Sequence, residues 1–218
     1  MNTTGWTIRD FNKKGDLDRT SEMLARAFLN DPFFTYVFPN EGCRQSILPD
    51  YFKVFLEYFS KYGKITVEDG LRGAVLWLVG PEKISDKEFE DFLSDHCFWD
   101  IILRGQAGYG TFLRWRELME ADEEIHQKVM DEKQHLYLGI VGVDPGIVGN
   151  KSSCQRLGLG RALVWDVFKY SGNRTLPCYL ETCSFVSKEI WECIGFRVVQ
   201  ELVKDDHTIW GMVLQAER

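Results

Sequence analysis

The sequence predicts an α/β fold in one domain, on three observations. The run His135-Leu136-Tyr137-Leu138-Gly139-Ile140-Val141-Gly142-Val143 is apolar and rich in β-branched residues, and it stops at Asp144-Pro145-Gly146, where proline cannot continue a ladder. The segment Gln155-Arg156-Leu157-Gly158-Leu159-Gly160-Arg161-Ala162 then opens an amphipathic helix, with Leu159, Ala162, Leu163, Val167 and Phe168 on one stripe and Ser171-Gly172-Asn173 at its end. A length of 218 residues, 44% of them hydrophobic, suffices to bury one full core. No repeat, low-complexity tract or linker divides the chain.

In chain order, Trp6 to Arg9 reads as a first strand and Leu17 to Leu29 as a helix with Asp16 as its cap, broken by Asn30-Asp31-Pro32. The aromatic stretch Phe33-Phe34-Thr35-Tyr36-Val37-Phe38 reads as a loop. Gln45 to Tyr62 is a second helix carrying Ile47, Tyr51, Val54, Phe55 and Tyr58. Lys64 to Val67 and Ala74 to Val79 are strands joined by a turn at Gly70 to Gly73. From Ser85 to about Lys133 the pattern is mostly helical. After the strand and glycine-led helix come a strand at Cys178 to Thr182, a short helix to Trp191, and a further strand opened by Gly195-Phe196.

Composition excludes more than it identifies. A net charge of -7 without a basic stripe argues against nucleic acid as a partner. No apolar run is long enough to span a bilayer, and Met1-Asn2-Thr3-Thr4-Gly5 lacks the pattern of a signal peptide, so no membrane partner and a cytoplasmic address are expected. Cys43, Cys97, Cys154, Cys178, Cys183 and Cys193 lack zinc-site spacing and read as packing residues. No metal site is expected.

The glycine-led helix start carries the first chemical signal. Its unpaired N–H groups and partial positive charge favour an anion, and Gly158 and Gly160 remove side chains where a phosphate must approach backbone. Arg156 and Arg161 add positive charge. The competing reading is close packing alone. Neither a dinucleotide fingerprint nor a P-loop is present. Within the preceding strand, Gly139 and Gly142 admit a ligand or another chain, or mark a bulge.

The order strand, (Gln/Arg)-x-x-Gly-x-(Gly/Ala), helix, strand, short helix, Gly-Phe resembles the GNAT N-acetyltransferase superfamily, strongly from His135 to Val213 and more faintly before it. Leu180-Glu181-Thr182 and Ile194-Gly195-Phe196 look like the branch that includes puromycin N-acetyltransferase-like and fungal small-molecule acetyltransferases. The resemblance implies a mixed, mostly antiparallel sheet flanked by helices and splayed at the acyl-CoA-binding strand, with acetyl-CoA or coenzyme A as cofactor. It divides the single domain, 1–218, into an acceptor-side half at 6–80, a helical insertion at 81–134 that helps wall the acceptor pocket, and an acetyl-CoA-binding half at 135–216.

Carried over by position, the Val141 N–H faces the acetyl carbonyl oxygen, Val143 bonds the pantetheine arm, and Gln155, Arg156, Leu157, Gly158, Leu159, Gly160 and Arg161 hold the pyrophosphate. Ser187 stands where relatives often have a cofactor-binding Asn, and Trp191 where many have a Tyr that protonates the departing thiolate; an indole N–H cannot fill that role. Tyr179 is another candidate donor. Glu181 is the leading general base, with His135, Tyr137 and Glu132 as weaker alternatives and a structural carboxylate as the competing reading. Phe33, Phe34 and Tyr36 are candidates to form the acceptor pocket with Trp191, or simply to fill core. The acidic run Glu117, Glu120, Asp122, Glu123, Glu124 reads first as a solvated helix face, with attraction of a cationic amine as the competing reading, and Gly146 to Ser153 reads as an inserted surface loop, with a flap that brings Lys151 to phosphate as its alternative.

These readings converge on transfer of an acetyl group from acetyl-CoA to the amine of a small molecule. The alternatives are a peptide or protein amine, and an acyl-CoA-binding module with weak or no catalysis, which Trp191 and Ser187 motivate. Dimers are common in the superfamily, and association through the last strands near Trp210 to Leu214 is expected.

Overall fold

The computed structural model describes residues 5–80, 86–148, 157–170, 176–204 and 207–215. Its strands are β1 (Ile8–Asp10), β2 (Lys64–Glu68), β3 (Gly73–Gly80), β4 (His135–Val143), β5 (Cys178–Thr182), β6 (Arg197–Lys204) and β7 (His207–Leu214). Its helices are α1 (Lys13–Ala27), α2 (Pro32–Val37), α3 (Glu41–Tyr62), α4 (Asp86–Asp95), α5 (Phe98–Leu103), α6 (Tyr109–Met130), α7 (Pro145–Val148), α8 (Leu157–Tyr170) and α9 (Phe185–Ile194). The strands form one sheet in the order β1-β2-β3-β4-β5-β7-β6, antiparallel throughout except for the parallel pair β4 and β5. This is the mixed, mostly antiparallel architecture expected, with α1, α3 and α6 against one face and α8 and α9 against the other.

Local chemistry sets the helix starts, and two of them correct the sequence reading. Asn12, not Asp16, caps α1: its side chain accepts the Lys14 N–H at 3.2 Å. Asp16 lies inside the first turns, accepting the Asn12 N–H at 2.8 Å and pairing with Arg9 at 2.7 Å. The aromatic stretch read as a loop is helix α2, because Asp31 accepts the Phe33 N–H at 2.9 Å and Pro32 fills the first turn. The α1–α2–α3 corner is then locked by Arg44, buried, whose guanidinium donates to the carbonyls of Leu29, Phe38 and Pro39, each at 2.8 Å. Gly195, at φ 118°, ends α9 rather than opening a strand, and β6 begins after it at Arg197.

Two features of β4 position the site. Its register against β3 passes from Leu76↔Ile140 to Trp77↔Leu138, leaving Gly139 as the extra residue of a bulge. Ile140 consequently packs with the α1 and α3 side, while Leu138 and Val141 pack with α8. The neighbours that require the strand glycines are helical side chains: a Cβ on Gly139 would come 2.6 Å from Phe59 Cζ, and one on Gly142 would collide with Leu24 Cδ2. Pairing with β5 covers only Leu136↔Cys178 and Tyr137↔Tyr179. Beyond that point β4 continues along β3 to Val143 and β5 continues along β7 to Thr182, so the two strands splay within the sheet.

The stretch expected to mediate association, 210–214, lies on β7 with strands on both sides; β6 is the sheet edge, where Val199 and Val203 are exposed. Of the segment read as an inserted loop, the first residues form α7, where Asp144 accepts the Gly146 N–H at 2.8 Å, and the remainder lies outside the described residues. Cys178 is free and buried, as a packing residue should be, but Cys193 is disulfide-bonded. Among the described residues no helix is long and apolar enough to cross a membrane.

Candidate active site

Where β4 and β5 part, the sheet, α3 and α6 enclose a cavity of about 350 Å³. Its wall is aromatic, with Phe33, Phe34, Tyr51, Phe52, Phe55 and Phe59 among the lining residues. Phe34 and Phe52 also carry core packing, their ring centroids 5.5 Å apart. Tyr36 does not line the cavity. Its hydroxyl donates to Glu117 at 2.9 Å and its ring packs 4.2 Å from His207, which pins α2 against α6 and β7.

Glu181 lies on the cavity floor, its side chain 6% exposed. Burial, and then the neighbouring Asp122 carboxyl, push its pKa well above the usual carboxylate range; the hydroxyls of Tyr179 and Tyr137 oppose that shift. Behind it stands His126 of α6, its ring between Tyr137 and Tyr179 at 4.7 Å from each. His126 Nδ1 is 3.5 Å from Glu181 Oε1, a long approach, and His126 Nε2 is 2.9 Å from Nε2 of His135. His135 Nδ1 lies 2.7 Å from the Lys133 carbonyl, which can only accept, so Nδ1 carries the hydrogen. Burial keeps His135 neutral by lowering its pKa; its Nε2 then accepts from His126 Nε2–H, leaving His126 Nδ1 facing the carboxyl.

Of the further carboxyls that border the cavity, two are largely buried. Asp122 projects from α6 and Asp31 from the α1–α2 corner; both border the cavity and are otherwise enclosed by protein. Burial pushes Asp31 up to about 6, and burial together with the Asp31 charge pushes Asp122 up to about 7. The acidic run read as a solvated face is therefore split by helical phase. Glu120 and Glu124 pair outward with Arg116 and Lys128, whereas Asp122 and Glu123 border the cavity. Sequence reasoning missed Asp31 and His126 as site residues and read Asp122 first as part of a solvated face. The readable signal was the spacing of Asp122 and His126, a helical turn apart and each following a buried residue, Ala121 and Ile125.

The other predicted residues fall around the splay. Val141 and Val143 are half-buried on the part of β4 that has left β5. At the start of α8, a Cβ on Gly158 would meet nothing nearer than Trp6 Nε1 at 3.5 Å, and one on Gly160 nothing nearer than Val143 Cγ2 at 3.8 Å. Close packing thus does not require these glycines, and the open backbone fits a phosphate-bearing ligand. Leu157 opens the helix, Leu159 is buried in the core, and the Arg161 guanidinium lies over the Trp165 ring at 5.9 Å. Gln155 and Arg156 lie outside the described residues. Ser187 donates its backbone N–H to the Ser184 cap of α9 at 3.2 Å. Trp191 is packed in the core on the α8 side, its ring 5.4 Å from Phe196, and is not among the residues lining the cavity.

Comparison with solved structures gives the same architecture over nearly the whole chain. A histone acetyltransferase HPA2-related acetyltransferase from Corynebacterium glutamicum superposes with a TM-score of 0.63 at 19% identity, covering 98% of this chain and 97% of that one. The chain has the GNAT fold. Two other structures of this fold are also similar: arylalkylamine N-acetyltransferase 2 from Aedes aegypti, with a TM-score of 0.58 at 14% identity over 98% of this chain and 100% of that one, and an agmatine N-acetyltransferase, with a TM-score of 0.58 at 15% identity over 96% and 99%. No protein-family model and no curated protein matches the sequence.

Proposed function

We propose that the protein is an acetyl-CoA-dependent N-acetyltransferase for the amine of a small molecule, with Glu181 as its general base. One observation carries this reading: a buried carboxyl on the floor of an aromatic cavity, at the point where β4 and β5 part. The names of the GNAT-fold neighbours support the amine class. A cavity of about 350 Å³ suits a small acceptor.

Bound acetyl-CoA supplies an activated acyl carbon and a thiolate leaving group; Val141 and Val143 on β4 and the backbone from Leu157 to Arg161 would hold it. The chain's own residues handle the proton. An alkyl amine, with pKa about 10, arrives protonated. Inside the cavity both the ammonium and the Glu181 carboxylate lose hydration, so the neutral pair gains relative to the ion pair and the amine proton moves to Glu181. The nitrogen lone pair is then free to attack. His126 Nδ1, which faces Glu181, is the next acceptor, and its Nε2–H is shared with His135. Tyr179 is a poor acid here, because burial and the Glu181 charge raise its pKa. A thiol, with pKa about 8.5, leaves without a strong acid, so Trp191 does not forbid turnover.

The test is release of free thiol from acetyl-CoA across an amine panel. Glu181→Gln should lower kcat by roughly 10²- to 10⁴-fold while acetyl-CoA binding persists. Binding without thiol release from any amine would instead favour the acyl-CoA-binding module.

A further inference from the structure

Glu181 accounts for one carboxyl of the cavity and Glu123 accepts from Gln127 Nε2 at 2.6 Å, which leaves Asp31 and Asp122 without a role. These two come from separate elements, the α1–α2 corner and α6, and the charge on Asp31 acts directly on Asp122. Among the described residues, Asp122 Oδ1 is sealed from solvent with no hydrogen-bond partner, and the Asp31 side chain accepts only the Phe33 N–H. Among the described residues no lysine or arginine pairs with either carboxyl, and no group of His, Cys, Asp and Glu is placed to hold a metal ion. Enclosing like charges without a partner is unfavourable for folding, and a chain that keeps two of them beside aromatic rings in one cavity wall has assembled the elements of a cation site. The rings of Phe33, Phe34 and Tyr51 add faces that attract an ammonium group, and Tyr51 lies close enough to Asp122 to feel its charge.

Building on the N-acetyltransferase reading, we propose that the acceptor is a diamine: one nitrogen reacts beside Glu181, and the other stays protonated and is held by Asp122 and Asp31. Asp122 borders the same cavity as Glu181 and Asp31, and Cys183 in that wall feels the charges of all three carboxyls. A monoamine of equal length leaves the carboxyl pair unmatched.

The experiment is calorimetric titration of the CoA-saturated protein with putrescine and cadaverine, each against the monoamine of the same carbon count. The diamines should bind at least about tenfold tighter, the range expected for a charge-assisted hydrogen bond. Asp122→Asn should reduce them to the monoamine level. Asp31→Asn, which keeps the α2 cap because asparagine caps as well as aspartate, should do the same in a protein of unchanged fold. Equal binding of monoamine and diamine, tighter binding of phenethylamine than of either diamine, or a preference that survives both substitutions would overturn the proposal. Acetylation, assayed separately, isolates the reading on which it rests. A diamine bound but never acetylated removes the catalytic reading and keeps the subsite; monoamines and diamines acetylated alike remove the subsite and keep the catalysis.

Discussion

Asp122 is a side chain that folding makes harder to ionise, which gives the protein an unusual dependence on pH. With Asp31 raised to about 6 and Asp122 to about 7, the folded chain binds protons that the unfolded chain releases near pH 4. The stability these groups contribute is fully present below about pH 4 and is lost as pH rises through the two folded values. Asp16, Glu68 and Asp144 are shifted down, so theirs is present above about pH 4 and lost on acidification. The melting temperature should therefore peak near about pH 5 and decline towards about pH 8, and Asp122→Asn should flatten that decline by raising stability at the alkaline end. A profile that climbs from pH 5 to 8, or an Asn variant that leaves it unchanged, would count against an unpaired Asp122. The raised Glu181 makes a second prediction: thiol release should increase with pH at values where an ordinary carboxylate is already fully ionised, and Glu181→Gln should remove that limb.

At the scale of elements, glycines that look alike in sequence separate into two kinds. Gly142 exists because α1 lies against β4, so Gly142→Ala should cost about 1–3 kcal/mol in denaturant unfolding, from overpacking on Leu24. Gly160 leaves room for a methyl group on a helix, its Cβ reaching only ordinary contact with Val143, so Gly160→Ala should be neutral or stabilise by up to about 1 kcal/mol, yet weaken acetyl-CoA binding. Loss of binding with retained stability is the informative result; loss of both would return Gly160 to a packing role. The strand 135–143 was legible because β-branched and apolar residues run to a proline stop, and most of the helix 41–62 because it is 22 residues long; 109–130, equally long, was legible only as part of a mostly helical stretch that the fold divides into α4, α5 and α6. Helix α2 was not legible: its 6 residues are nearly all apolar, leaving no phase for a period to show. The cap at Asn12 was hidden by Asp16, an equally good capping type that the fold uses to hold Arg9.

The whole molecule assembles its cavity from parts far apart in sequence: the α1–α2 corner, α3, α6, and the diverging ends of β4 and β5. Glu181, which borders the cavity, stood out by its short motif, whereas Asp31 looked like a helix breaker and Asp122 lay in an acidic run read first as solvated. Only the packing of α6 across the sheet tells inward from outward in that run. The splay itself has a mechanical meaning. With two rungs between Leu136–Tyr137 and Cys178–Tyr179, the sheet is two plates, β1 to β4 and β5-β7-β6, hinged at one corner. Any molecule lying along the opening leans on both plates and stiffens the hinge. Addition of coenzyme A should then slow amide exchange at Leu138–Val143 and Leu180–Thr182 together, and slowing on one strand alone would mean the wedge sits elsewhere. If both strands slow, the sheet is a clasp as well as a floor for chemistry, its two jaws running from Ile8 to Val143 and from Cys178 to Leu214.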